Sequence, residues 1–255
     1  MSSQQTAIDT FRQLHKPGDP IILYNVWDAG SAKAVSAAGA KALATGSAPV
    51  AMAQGYADGE KFPLESALEN IDRIINTVDI PVTMDLESGY GKELSAIETC
   101  IAQAVSRGIV GFNFEDQIVG GEGLYDIATQ SKRLEAARKA ADSVPGSPFI
   151  NARTDIFLKA KPDTHTESML DEAIERAHAY KQVGADGFFA PGLADEKMIE
   201  RLCKEIDLPV NIIALPYVPD KAVLTGLGVA RISYGPVPYL KMMKALGERA
   251  AEAFS

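Results

Sequence analysis

Apolar runs and helix-patterned stretches alternate along the whole chain. PIILYNV is a strand-like run, followed by the small-residue helical stretch SAKAVSAAG. KALATGS is a second strand, then comes a loop, then the helix PLESALENIDRIINTV. IPVTMDLE, IVGFNFED, SPFINARTD, ADGFFAPG, LPVNIIALP and VARISYGP continue the strand series, each followed by a helical pattern, and the last helix is PYLKMMKALGERAAEAF. The strands read as apolar nearly throughout, as strands buried on both faces should. Gly39, Gly108, Gly184 and Gly228 sit at helix C-termini with a strand close behind.

Eight such alternations with short connections predict a (β/α)8 TIM-type barrel, an α/β fold. No Pro/Gly/Ser linker or shift in composition divides residues 1–255, so one domain is expected, preceded by a helix around residues 4 to 15. The competing fold is an open doubly wound sheet. Against it, no Gly-x-Gly-x-x-Gly turn follows the first strand, and no Gly-x4-Gly-Lys-Ser/Thr loop occurs.

Composition narrows the function classes. With 255 residues, 46% of them hydrophobic, the chain can bury a full core. No apolar run reaches membrane-span length, and the start MSSQQTAIDTFRQLH lacks a signal-peptide core, so a soluble, cytoplasmic protein is expected. A net charge of −9 argues against nucleic acid or an anionic membrane surface as partner. It leaves room for a small anionic substrate, because one metal ion and one arginine can reverse the field inside a pocket. Cys100 and Cys203 form neither a disulfide framework nor a zinc spacing.

A barrel of this kind carries its active site at the C-terminal ends of the strands. Strands three to five deliver Asp85, Glu87, Glu115, Asp116 and Arg153 to one rim. Carboxylates crowded together repel one another unless a cation is present, and a hard divalent ion, Mg²⁺ or Mn²⁺, suits oxygen ligands. Asp85 and Glu87 are two apart, which on a strand puts both on one face. The bland alternative, that these acids cap helices, suits one of them but not the set. For Asp116 and Asp155 a capping or rim role is at least as good. Arg153, among apolar strand residues, requires an anionic partner, either one of these acids or a substrate carboxylate. Thr45-Gly46-Ser47-Ala48 offers backbone N–H groups that can cradle a carboxylate. His15, His165 and His178 all fall away from strand ends, and Trp27 reads as packing. Lys159 and Lys161 read as solvated, and Gly120-Gly121-Glu122-Gly123 as either a closing lid or an ordinary loop.

These residues carry a resemblance. Asp85-Leu86-Glu87-Ser88-Gly89-Tyr90-Gly91, Phe114-Glu115-Asp116 and Asn151-Ala152-Arg153-Thr154-Asp155 are similar to motifs of the isocitrate lyase/phosphoenolpyruvate mutase superfamily, over nearly the whole chain. The resemblance implies that Asp85 is the closest protein ligand of Mg²⁺, with Glu87, Glu115 and Asp58 holding its waters. It implies that Ser47 and Ala48 bind a substrate carboxylate and that Arg153 contacts the reacting end. It also implies a homo-oligomer, a dimer of dimers that exchanges the last helix between barrels.

The departures narrow the chemistry. The Lys-Lys-Cys-Gly-His motif of the isocitrate lyases is absent, and so are the mutase's Lys-Thr-Asn loop and the His after strand six, where Ala190-Pro191 stands. Thr45 occupies the mutase's strand-two Trp position. What remains resembles the oxaloacetate decarboxylase-like and α-oxocarboxylate lyase-like branch. The expectation is a Mg²⁺-dependent lyase or decarboxylase of a small 2-oxo dicarboxylate, with protonation by water, Tyr90 or Tyr125. The alternatives are phosphonopyruvate hydrolase or mutase chemistry, and a barrel that binds a 2-oxo acid without turning it over.

Overall fold

A computed structural model describes residues 3–255. Its strands are β1 (Ile21–Leu23), β2 (Leu43–Ala44), β3 (Val82–Asp85), β4 (Gly111–Glu115), β5 (Phe149–Arg153), β6 (Gly187–Phe189), β7 (Val210–Ile213) and β8 (Arg231–Ser233). The helices are α1 (Ser3–Gln13), α2 (Ala29–Ala37), α3 (Ser47–Ala53), α4 (Leu64–Ile75), α5 (Leu94–Ser106) and α6 (Ile127–Ala141). They continue as α7 (Glu167–Gln182), α8 (Glu196–Glu205), α9 (Lys221–Gly226) and α10 (Val237–Phe254).

All eight strands are parallel, in the order β1-β8-β7-β6-β5-β4-β3-β2, the expected (β/α)8 barrel. The seam between β1 and β2 is a single bridge, Val26 to Thr45. Asn25 stitches that seam. Its amide nitrogen donates to the Thr45 carbonyl, and its oxygen accepts from the N–H groups of Tyr234 and Gly235. The four glycines expected behind helices all have positive φ.

The strands are not apolar on both faces. Outward residues such as Leu43, Met84, Phe112, Phe114, Ile150, Phe188 and Ile232 pack against the helices. The inward face is layered. At its floor, Ile8 and Phe11 of α1 meet Ile21, Ala42 and Phe149. Above them lie the buried polar residues Asn113, Asn151, Asn211 and Arg231. Asn151 donates to Asn113 and Asn211, and Arg231 donates to Asn113, so the layer satisfies much of its own hydrogen bonding. Single polar residues inside apolar runs were the only sequence trace of this layer.

α1 ends at Gln13, two residues before its expected end, which leaves His15 beneath the barrel floor. α3 occupies part of the stretch expected to be loop. Its first turn packs tightly: a Cβ on Gly46 would lie 2.9 Å from Pro49 Cγ, so only glycine fits there. No described helix is long and apolar enough to cross a membrane.

Candidate active site

The rim above β2 to β5 is where the charged residues converge. Asp85, the last residue of β3, is held from two sides. Its backbone N–H donates to Thr45 Oγ1 at 3.0 Å. Its Oδ2 accepts from both the backbone N–H and the hydroxyl of Ser47, each at 3.2 Å. Its Oδ1 is buried and has no partner.

Glu87 reaches the site by a different route from the one expected. β3 stops at Asp85, and Glu87 lies beyond it with φ 50°, so the two do not share a face by strand alternation. The left-handed backbone brings the two carboxylates together instead, at a conformational cost characteristic of functional sites. Gly89 and Tyr90 continue this positive-φ turn. A Cβ on Gly89 would strike the Phe114 ring at 2.7 Å. Arg133 of α6 pins the turn by donating to the carbonyls of Ser88, Gly91 and Lys92. Glu60, which the sequence motifs did not single out, ties the β2 loop to the same turn. Its N–H donates to Glu87 Oε2, and its Oε1 accepts from Ser88 Oγ and the Tyr90 N–H, all at 2.8 Å.

Arg153, at the end of β5, makes both kinds of internal ion pair. Its Nη1 lies 2.8 Å from Glu115 Oε2, and its Nε and Nη2 grip Asp155 at 2.6 and 2.9 Å. Asp155 is therefore part of the site and not a rim cap. Behind it, the Asp155 N–H donates to Asp116, whose other oxygen accepts from Arg176 Nη1 and the Tyr180 hydroxyl. The helices are capped by other side chains: Asp28, Asp126, Asp195 and Asp220, with Thr166 on α7. Arg176 and Tyr180 went unnoticed in the sequence, although they share a helix face with buried Ala173 and Ala177.

The electrostatics are those of too many acids in one place. Burial, then Asp85 and Asp58, push Glu87 up to about 8. Asp58 is exposed on one side, yet partial desolvation and Asp85 raise its pKa as well, while Ser47 works the other way. Burial also raises Glu115, against the pull of Arg153. No preformed cluster of three metal-ligating side chains occurs among the described residues. The donor set nonetheless fits a hard divalent cation. It is all oxygen, carries more negative charge than Arg153 balances, and offers an unpartnered buried Oδ1 on Asp85.

Of the other sequence candidates, Tyr90 lines the same pocket as Ser47, Asp85 and Glu87, and the rest lie outside it. Cys100 is buried in α5, where burial pushes its thiol up to about 12. Tyr90 is raised by burial, and Tyr125 lies under Arg133, 4.2 Å from ring centre to guanidinium. Gly120–Gly123 is an exposed turn closed by a Gln117–Leu124 bridge. Trp27 packs edge-on against Tyr239. His178, Lys159 and Lys161 are exposed.

The family model for phosphoenolpyruvate phosphomutase matches residues 11–254. The chain belongs to the phosphoenolpyruvate phosphomutase family. This bears out the resemblance carried by the three motifs. Within the wider superfamily, the chain is 35% identical over 231 residues to an uncharacterized protein of Mycobacterium tuberculosis, covering 90% of this chain and 83% of that one. It is 26% identical over 250 residues to an oxaloacetate decarboxylase of Chromohalobacter salexigens, covering 95% and 84%. A crystal structure from Burkholderia cenocepacia, provisionally described as a phosphonomutase, superposes with a TM-score of 0.95 at 44% identity, covering 98% and 99%. A phosphonopyruvate hydrolase solved with oxalate and Mg²⁺ shares the fold, with a TM-score of 0.83 at 19% identity over 99% and 87% of the chains. The family's chemistry of lyases and mutases supports an enzyme here.

Proposed function

We propose that this family member is a Mg²⁺-dependent carbon–carbon lyase or decarboxylase acting on a small 2-oxo dicarboxylate such as oxaloacetate, in the cytoplasm. The observation that carries the reading is Asp85: a buried, unpartnered carboxylate oxygen amid Glu87, Asp58 and Glu115, whose pKa values are all raised. Asp85 would hold Mg²⁺ directly, with Glu87, Glu115 and Asp58 around it. Mn²⁺ suits the same oxygen set. When bound, the ion supplies Lewis acidity to the keto and carboxylate oxygens and offsets the charge that develops as the C3 bond breaks.

The chain's own residues account for the rest. Ser47 reaches Asp85 with both its N–H and its hydroxyl, and the hydroxyl also neighbours Asp58. Were Asp85 to hold a cation, the Ser47 N–H and hydroxyl would be available to the substrate's 1-carboxylate, with Thr45, Gly46 and Ala48 shaping the cradle. Arg153, held flat by Asp155, presents its charge to the departing or second carboxylate. The C3 carbon takes its proton from water or from a tyrosine.

The last helix fits an exchange between subunits. Its Leu240, Met242, Met243, Leu246 and Phe254 are exposed. A groove of about 1020 Å³ opens between the β1 and α2 face and the root of α10, bordered by Ile22, Tyr24, Trp27, Val35 and Met242. The reading is a dimer of dimers in which α10 of one chain covers the groove of another.

The test is pyruvate formation from oxaloacetate. Pyruvate above the metal-only background, abolished by EDTA and by Asp85→Ala, supports the reading. No pyruvate removes oxaloacetate as the substrate. The likeness to a chain provisionally described as a phosphonomutase favours one second reading, C–P chemistry, which phosphate release from phosphonopyruvate would reveal.

A further inference from the structure

Arg231 lies on the inward face of β8, 1% exposed, at the centre of the barrel. Its Nη2 crosses to β4 and donates to Asn113 Oδ1 at 3.1 Å, while its Nε and Nη1 have no acceptor. Asn113 shares the same oxygen with Asn151, so every group that touches Arg231 through a hydrogen bond is neutral. Beneath it lies His15, buried on the barrel floor. Asn113, the residue it reaches, is the register partner of Asp85 across β3 and β4, which places the guanidinium next to the carboxylate whose field favours its charge against the pull of burial.

A buried guanidinium without an ion pair is costly, and an apolar side chain would stabilise this layer better. The charge has a use only in relation to what stands beside it. Among the described residues, Asp58, Asp85, Glu87, Glu115 and Asp155 gather around one rim arginine, Arg153. A site so acidic would grip a divalent ion tightly and repel an anionic substrate. We propose that Arg231 is a positioning residue of the active site, a fixed positive charge beside Asp85 that lowers the site's affinity for the cation and raises its affinity for the substrate anion. This rests on the reading of the site as a divalent-metal centre.

The test measures two affinities in the full-length protein: Mn²⁺ by electron paramagnetic resonance, and oxalate binding to the Mn²⁺-loaded protein by calorimetry. Arg231→Gln, which can keep the bond to Asn113, is expected to tighten Mn²⁺ and weaken oxalate, each by roughly tenfold, the order expected for charges interacting through a protein interior. Arg231→Lys keeps both wild-type affinities at pH 6. The site carboxylates titrate alike in both proteins, so the readout is the ratio of variant to wild type at each pH: by pH 8.5 the buried amine has lost its proton, and that ratio moves toward the Gln ratio. Folded Arg231→Gln with either affinity unchanged overturns the proposal. Identical pH profiles for wild type and Arg231→Lys overturn it even where the Gln variant does not fold. Wild type that binds no Mn²⁺ overturns the metal reading itself, and this proposal with it.

Discussion

Ser47 and Asp85 are bonded twice, backbone N–H and hydroxyl both reaching the same Oδ2 at 3.2 Å. The contact joins the first turn of α3 to the end of β3, and in the proposed reading it couples the metal ligand to the substrate cradle. Ser47→Ala removes one donor and leaves the N–H. We expect Mg²⁺ affinity to change less than twofold while kcat/KM falls about tenfold, the value of one hydrogen bond to a charged group. Titration of Mg²⁺ alongside steady-state kinetics checks this. A large loss of metal affinity would show that the serine serves the ion and not the substrate.

Asp155 is fully buried and takes two of the bonds of Arg153. Asp155→Asn halves that grip and leaves a buried guanidinium with Glu115 as its one charged partner. Breaking a buried pair typically costs about 3–5 kcal/mol, and the retained amide moderates this. The expected outcome is a lower Tm together with a fall of about a hundredfold or more in kcat, which thermal denaturation and kinetics on the same sample report. Full activity in the Asn variant would mean that Arg153 does not depend on Asp155 for its orientation.

The fold was legible because its signal is periodic: each of the eight strand-helix units repeats the same apolar-then-amphipathic pattern. The site was legible where it rides on strand ends, as Asp85, Glu115 and Arg153 do. It was less legible where loop backbone decides. Glu87 arrives through a positive φ and Glu60 through a loop contact, and neither has a spacing rule. The polar middle of the barrel escaped for a related reason. Asn113, Asn151, Asn211 and Arg231 lie on four different strands, and only their meeting in space shows that they form one network.

α10 should report on assembly. Leu246 is 62% exposed on an 18-residue helix whose outer turns touch little of their own barrel. Leu246→Glu puts a charge into any interface that this helix makes. Light scattering after size exclusion is expected to show wild type as a tetramer and the variant as a smaller species, with the circular dichroism of a folded barrel retained. Identical masses would place the interface elsewhere.

His15 gives the barrel floor a pH dependence. The ring is 7% exposed, stacks on Phe149 at 4.2 Å, meets Phe11 edge-on at 4.7 Å and shares its Nδ1 with the Phe11 carbonyl at 2.9 Å. Burial, then the charge of Arg231, lower its pKa from 6.5 to about 3, while the Phe11 contact opposes the shift. The folded state therefore keeps the ring neutral over a range in which the unfolded chain protonates it. Stability from this group is complete above pH 6.5, declines as the pH falls, and levels off near pH 3. At pH 4.5 the loss amounts to about 2–3 kcal/mol, since each pH unit in the window is worth about 1.4 kcal/mol. His15→Phe keeps a ring against Phe149 and removes the titration. Carboxylates contribute their own acid sensitivity to both proteins, so the measured quantity is the difference in unfolding free energy between wild type and variant, from urea melts at pH 7.5, 6 and 4.5. That difference should move in favour of the variant as the pH falls, and a constant difference would show that His15 is protonated equally in the folded and unfolded chains.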